Sequence, residues 1–194
     1  MVAYIYQKLL DEGVKAGQAP AKTRSARNWF RNLARQTTGV QPNTIIKTAP
    51  KIQLTRVPQV GFMYHFFYDP KMKEELPYYD RFPLVLPLKS TNNGFIGINF
   101  HYLPIALRIR LLDRLVDFSN NTKFDESTIL DVNYDKVKDI KLVRPTIHRY
   151  ISGRVKTDFR RIDADEFTVA TLLPVARFSK APISKVYSDS RKML

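Results

Sequence analysis

Residues 64–104, YHFFYDPKMKEELPYYDRFPLVLPLKSTNNGFIGINFHYLP, hold three apolar runs separated by proline-marked turns, and their reading decides the fold. His65 to Tyr68 form a short aromatic run of strand type, ended by the Asp69-Pro70 turn signal. Leu84 to Leu88 make a second run between Pro83 and the polar link Ser90 to Gly94, and Phe95 to Phe100 make a third. The link contains Asn93-Gly94, and both residue types tolerate positive φ, so an antiparallel hairpin is the simplest connection between the second and third runs. Pro87 has no N–H to give to a ladder, so its strand is expected at a sheet edge or interrupted by a bulge.

The connection from Asp69 to Pro83 is long and rich in charge and aromatic rings. Loops on a rigid sheet carry much binding chemistry, and Tyr with Arg is an interface composition, which makes Tyr78, Tyr79 and Arg81 candidate interface residues. The same tyrosines serve equally well as a cover for the sheet end. After the third run, Pro104 suits the first turn of a helix through IALRIRLLDRLVDFS, with Ile105, Ile109, Leu112, Leu115 and Val116 on an apolar face and Arg108, Arg110 and Arg114 elsewhere. NNTKFDEST reads as a polar turn. VNYDKVKDIKLVRPTIHRYI predicts a helix on each side of Pro145, or one kinked there. RVKTDFRRID fits a strand carrying Arg154, Lys156, Arg160 and Arg161, and FTVATLLP (Phe167 to Pro174) reads as another strand after a DADE turn. Together these predict an α+β fold: a small antiparallel sheet with strands near 64–68, 84–88, 95–100 and 167–173, packed by helices.

Upstream, AYIYQKLLDEG reads as a short helix stopped by Gly13. Thr23 precedes RSARNWFRNLARQ, where Arg24, Arg27, Arg31 and Arg35 recur every three or four residues and share one helix face. Such a stripe repels itself unless an anion or a carboxylate surface neutralises it, so it is either a binding face or a solvated one. Gly39 to Val60 reads as an extended linker with one short strand in KIQLTRV. The end of the chain, ARFSKAPISKVYSDSRKML, lacks a clear period and is expected as a basic arm. The organisation so predicted is a basic helical arm over 1–50, a core over 51–174 and a basic tail over 175–194.

The charge is the strongest compositional signal. Lys and Arg number 32 against 18 Asp and Glu, a formal net charge of +14. By segment the excess is +6 over 1–50 (8 basic, 2 acidic) and +5 over 146–194 (10 basic, 5 acidic), against +2 over 51–89 and +1 over 90–145. An excess of this size attracts polyanions, so nucleic acid is the first partner class and an acidic protein surface the second. Cysteine is absent, which removes disulfides, thiolate metal sites and a cysteine nucleophile. No run is long and apolar enough for a membrane span, and charges come too early for a signal peptide, so no membrane partner is expected.

Catalytic patterns are sparse. His65, His101 and His148 lie far apart, and except for Asp69 four residues after His65 none has a ligand partner at i+2 to i+4, so no metal site and no cofactor is expected. There is no phosphate-binding glycine loop and no nucleophile elbow. A metal-dependent nuclease needs gathered carboxylates, for which Asp158, Asp163, Asp165 and Glu166 are candidates, although DADE is an equally good solvated turn. Aromatics interleaved with cations, Tyr64, Tyr68, Tyr78, Tyr79 and Tyr102, are candidates for stacking on bases, whereas Phe66, Phe67, Phe95 and Phe100 read as core.

MYHFFYDPKMKEELPYYDRFPLVLPL, GFIGINFHYLP with the following RLLDRL, and HRYISGRV with LLPVARFSKA resemble a family of small basic proteins of T-even-type tailed phages, the DNA end protectors. The N-terminal AYIYQKLLDEGVKAGQAPAKTRSARNWFR is similar too, so the resemblance covers nearly the whole chain. It implies a virion component, assembled in the host cytoplasm within a multi-subunit particle, whose partners are double-stranded DNA and other virion proteins. It also implies a place at the packaged genome's terminus near the portal, with a purely architectural neck or baseplate subunit as the alternative. It transfers no catalytic set. On this reading Arg24, Arg27, Arg31, Arg35, Arg154, Lys156, Arg160 and Arg161 neutralise phosphates without reading bases.

Overall fold

The hairpin predicted from Pro83 to Phe100 is the centre of the computed structural model, which describes residues 5–19, 23–37, 39–118, 130 and 132–194. Among these residues eight strands form two sheets: β1 (Leu54–Thr55), β2 (Met63–His65), β3 (Tyr79–Asp80), β4 (Leu84–Thr91), β5 (Gly94–Asn99), β6 (Ile147–Ile151), β7 (Phe159–Ile162) and β8 (Phe178–Ser179). The main sheet runs β1-β7-β2-β4-β5-β6 with every pair antiparallel, and β3 pairs with β8 separately. The helices are α1 (Ile5–Lys15), α2 (Arg24–Gln36), α3 (Pro42–Lys47), α4 (Ile105–Phe118), α5 (Tyr134–Val137), α6 (Phe167–Leu172) and α7 (Ile183–Lys192). The fold is α+β. The predicted polar turn NNTKFDEST lies outside the described residues.

Pro87 sits in the interior of the sheet, between β2 and β5, and the ladder absorbs it by a register shift between Pro87 and Lys89. The bulge alternative is therefore the correct one, and the edge alternative is not. The hairpin closes with Thr91 opposite Gly94, leaving Asn92 and Asn93 as the turn, and neither has positive φ. Gly94 is needed for another reason. A Cβ there would lie 1.8 Å from the Tyr150 carbonyl oxygen, so glycine lets β6 approach β5.

Strand alternation sorts the side chains onto two faces. Met63, Leu84, Leu86, Ile98 and Ile162 face a large core completed by α1, α2, α4 and α6. On the opposite face Tyr64, Phe66, Tyr68, Phe95, Tyr150 and Phe159 form a second, aromatic cluster with Val85. Its rings meet mostly edge to face, such as Phe66 with Tyr150 at 5.4 Å and 84°.

Several local expectations change. Gly13 lies inside α1, where its missing Cβ accommodates the Phe30 ring, and the helix ends near Gly17 at φ +66. Thr23 caps α2 by accepting a hydrogen bond from the Ala26 amide at 3.1 Å. Part of the expected linker over 39–60 is helical, because Pro42 occupies the first turn of α3. HRYI belongs to β6, not to a helix. FTVATLL, expected as a strand, is α6: Asp163 and Glu166 form a reciprocal capping box that starts a helical segment despite the β-branched residues. The C-terminal residues expected as an arm hold β8 and α7, with Val186 fully buried.

Candidate nucleic-acid interface

The buried carboxylate of Asp80 organises one end of the molecule. Its Oδ1 accepts from the amides of Phe82 at 3.0 Å and Arg177 at 3.2 Å, and its Oδ2 accepts from Asn99 Nδ2 at 3.2 Å and His101 Nδ1 at 2.8 Å. Burial works to raise this carboxyl, but His101 and the other donors outweigh it and hold it below the usual carboxylate range. Burial keeps His101 neutral, with the proton on the nitrogen that faces Asp80. Nearby, Arg108 is fully buried although the sequence placed it off the apolar face of its helix. It donates to the Leu103 carbonyl (2.8 Å) and the Tyr187 hydroxyl (2.8 Å), which ties α4 to α7.

Beside this frame lies a half-open cleft of about 420 Å³, the volume of a small-ligand site. Its walls come from residues 76–80, from Tyr102, from residues 144–150, and from Ser190 and Met193 at the end of the chain. Lys180 holds one wall in place, since its Nζ donates to the carbonyls of Lys73 (3.1 Å) and Glu74 (2.8 Å). The Tyr102 and His148 rings lie tilted against each other with centroids 3.9 Å apart, and Tyr78 and Tyr102 centroids are 6.1 Å apart. Burial raises the Tyr102 hydroxyl pKa, so it remains a donor at any physiological pH. His148 is pushed down to about 4 by burial, and its Nε2 is buried with no hydrogen-bond partner.

The candidate residues separate into groups. Tyr78 and Tyr79 line the cleft, while Arg81 is exposed outside it. On α2, Arg24 and Arg35 are exposed, Arg31 Nη2 bonds Asn28 Oδ1 at 2.6 Å, and Arg27 pairs with Asp113 of α4 at 2.6 Å. The stripe is thus neutralised at one position by the protein itself. Arg154 and Lys156 flank the segment after β2, through backbone bonds from Asp69 to the Arg154 carbonyl (3.1 Å) and from Lys156 to the Phe67 carbonyl (2.8 Å). With Lys73 they hold the Asp69 carboxyl below its usual range, the Lys73 hydrogen bond contributing most. None of the cleft residues comes from α1, α2 or α4.

Arg160 leaves the set of phosphate-binding candidates. It is fully buried, paired with Glu166 at 2.9 Å, hydrogen-bonded to Gln53 at 3.0 Å and stacked over the Tyr6 ring. Its strand neighbour Arg161 points the other way, bonding Asp163 at 2.9 Å and lying over the Phe62 ring. Of the carboxylates considered for metal chemistry, Asp163 and Glu166 are engaged structurally. Asp163 also accepts from Gln53, and Glu166 closes the capping box. No group of three or more potential metal ligands occurs among the described residues.

Sequence reasoning missed Arg144, His148 and Met193 as cleft residues, because each comes from a segment assigned another role. The signal available was the mixture of Arg, His and Tyr in RPTIHRY. No helix among the described residues is long and apolar enough to cross a membrane.

The fold and charge define a small basic α+β protein whose surface cations suit an anionic partner. The profile of one family, described as the Phage T4 terminal DNA protecting protein, matches residues 2–192, and the chain belongs to that family. That description concerns protection of phage DNA. No curated protein and no solved structure matches the chain.

Proposed function

We propose that this chain is a virion protein that covers the ends of packaged phage DNA, binding the duplex without sequence preference and without cutting it. One observation carries the binding reading. The buried charged residues among those described are Arg108 and Arg160 against Asp80 and Glu166, so the core balances itself and absorbs none of the +14 excess. That excess is therefore carried outside the core, where phosphate neutralisation and counterion release act.

Arg24, Arg31, Arg35, Arg154 and Lys156 are the proposed phosphate contacts, and Arg27 and Arg161 contribute only if Asp113 and Asp163 release them. The proposed setting is the neck near the portal, beside other virion proteins. The test is duplex binding across a salt series, with linear fragments compared with closed circles of the same sequence and exonuclease added to the bound samples. Salt-steep binding that prefers linear DNA and blocks the exonuclease is expected. Equal, weak binding to both forms overturns the reading in favour of an architectural subunit held by protein contacts. Cleavage dependent on Mg²⁺ overturns its non-catalytic part.

A further inference from the structure

We propose that the cleft between residues 76–80, β6 and α7 is a seat for one unpaired nucleotide at the end of the duplex, its base against the tyrosines and its phosphate on Arg144 and Arg149. The inference rests on the DNA-end reading above and supplies its selectivity.

Size and composition agree with this occupant. The volume of about 420 Å³ suits one nucleotide and excludes a base pair within its stack. Half-buried Tyr78 and Tyr79 offer π faces, which accept any base and so add affinity without sequence preference, and buried Tyr102 backs them. Arg144 and Arg149 line the same cleft, are exposed, and make no ion pair among the described residues; Arg149 bonds only the Asn93 side-chain oxygen at 2.9 Å. Within the wall, the His148 ring lies against Tyr102 and backs the tyrosine side of the cleft. The seat is also preformed, because Asp80, one of its lining residues, is fixed by four donors.

Selectivity for ends follows from stacking. Inside a duplex both faces of a base are covered by neighbours, and exposing one costs unstacking and unpairing. A frayed or overhanging terminal base has already met that cost. A closed circle has none to offer.

The test uses the full chain and duplexes carrying 2-aminopurine, a fluorescent adenine analogue, either as a single unpaired base at a 5′ or 3′ end or at an internal paired position. Blunt duplex and closed circle serve as references. Overhanging ends are expected to bind about tenfold more tightly than blunt ends, with the terminal probe changing its emission and the internal probe silent. Replacing Tyr79→Leu, or Arg144→Gln with Arg149→Gln, should reduce that advantage to about twofold or less while leaving the salt-dependent binding of blunt duplex in place. Exposed Arg144 and Arg149 give a variant whose folding does not depend on the cleft wall. If linear DNA is preferred over circles but overhang and blunt ends bind alike and the terminal probe stays silent, the seat is overturned and end protection stands. If circles bind as well as linear DNA, both readings fail together.

Discussion

Arg108 and Tyr187 meet at 2.8 Å between guanidinium and hydroxyl, and this bond joins the helix that follows the sheet to the last helix of the chain. The hydroxyl is one of the acceptors of a cation with no exposed surface, the others being carbonyls of Leu103, His101 and Thr171. Tyr187→Phe leaves a charged donor without that partner. A loss of about 1–3 kcal/mol is expected, read as a lower urea midpoint at unchanged slope. Amide exchange should rise first in α7, because its anchor is the group removed.

The Arg160–Glu166 pair gives a prediction that separates stability from binding. Removing one partner strands a buried charge, so Glu166→Gln should cost about 3–5 kcal/mol. The double replacement Arg160→Met with Glu166→Leu should recover much of that loss, and its salt dependence of DNA binding should equal that of the parent. A reduced slope in the double variant would put Arg160 back among the phosphate contacts.

On the surface, each cation that neutralises a phosphate contributes about one unit to the slope of log affinity against log salt. Arg24→Ala, Arg35→Ala and Lys156→Ala are therefore each expected to lower the slope by about one, with stability within about 0.5 kcal/mol of the parent. Arg27→Ala should behave differently, changing the slope less and losing its contact with Asp113.

Acid should destabilise the fold through its histidines. Burial lowers His65 to about 3 and His148 to about 4, against an ordinary value of 6.5. The unfolded chain binds these protons at higher pH than the native one, so the stabilisation is complete above pH 6.5 and declines as pH falls toward each folded value. Between pH 6 and about pH 4 each of the two should cost about 1.4 kcal/mol per pH unit. His101, also lowered by burial, acts in the same direction. Thermal unfolding at pH 7, 6 and 5 checks the sign, and His65→Asn should flatten the dependence.

Gly94→Ala tests the closest strand approach. The added methyl would meet the Tyr150 carbonyl, so β5 and β6 must separate, at about 1–3 kcal/mol. Because Tyr150 also lines the cleft, this variant should weaken end selectivity more than blunt-duplex affinity.

Which parts of this molecule the sequence discloses depends on whether the governing interaction is local. The hairpin between the second and third apolar runs and the helix after Pro104 follow from neighbours within a few residues, and both were legible. The capping box at Asp163 and Glu166 was equally local and visible as D-x-x-E, but the β-branched run behind it suggested a strand. Burial of Arg108 and Arg160 was hidden, because charge normally reports surface and their partners Tyr187 and Gln53 lie 79 and 107 residues away. At the cleft, Tyr78 and Tyr79 could be proposed from composition alone. Arg144, His148 and Met193 could not, since only the tertiary fold brings them to the same wall.

The placement of β7 has a kinetic consequence. This strand inserts between β1 and β2, whose partners precede it by about a hundred positions, as the separation of 107 between Gln53 and Arg160 illustrates. The sheet cannot be completed during synthesis until residue 162 has left the ribosome, and until then one edge of β2 lacks its neighbour. Long-range pairing of this kind slows folding and leaves a strand edge open to other chains. Expression at lower temperature should raise the soluble yield, and fragments ending before Phe159 should aggregate even though they contain the whole central hairpin.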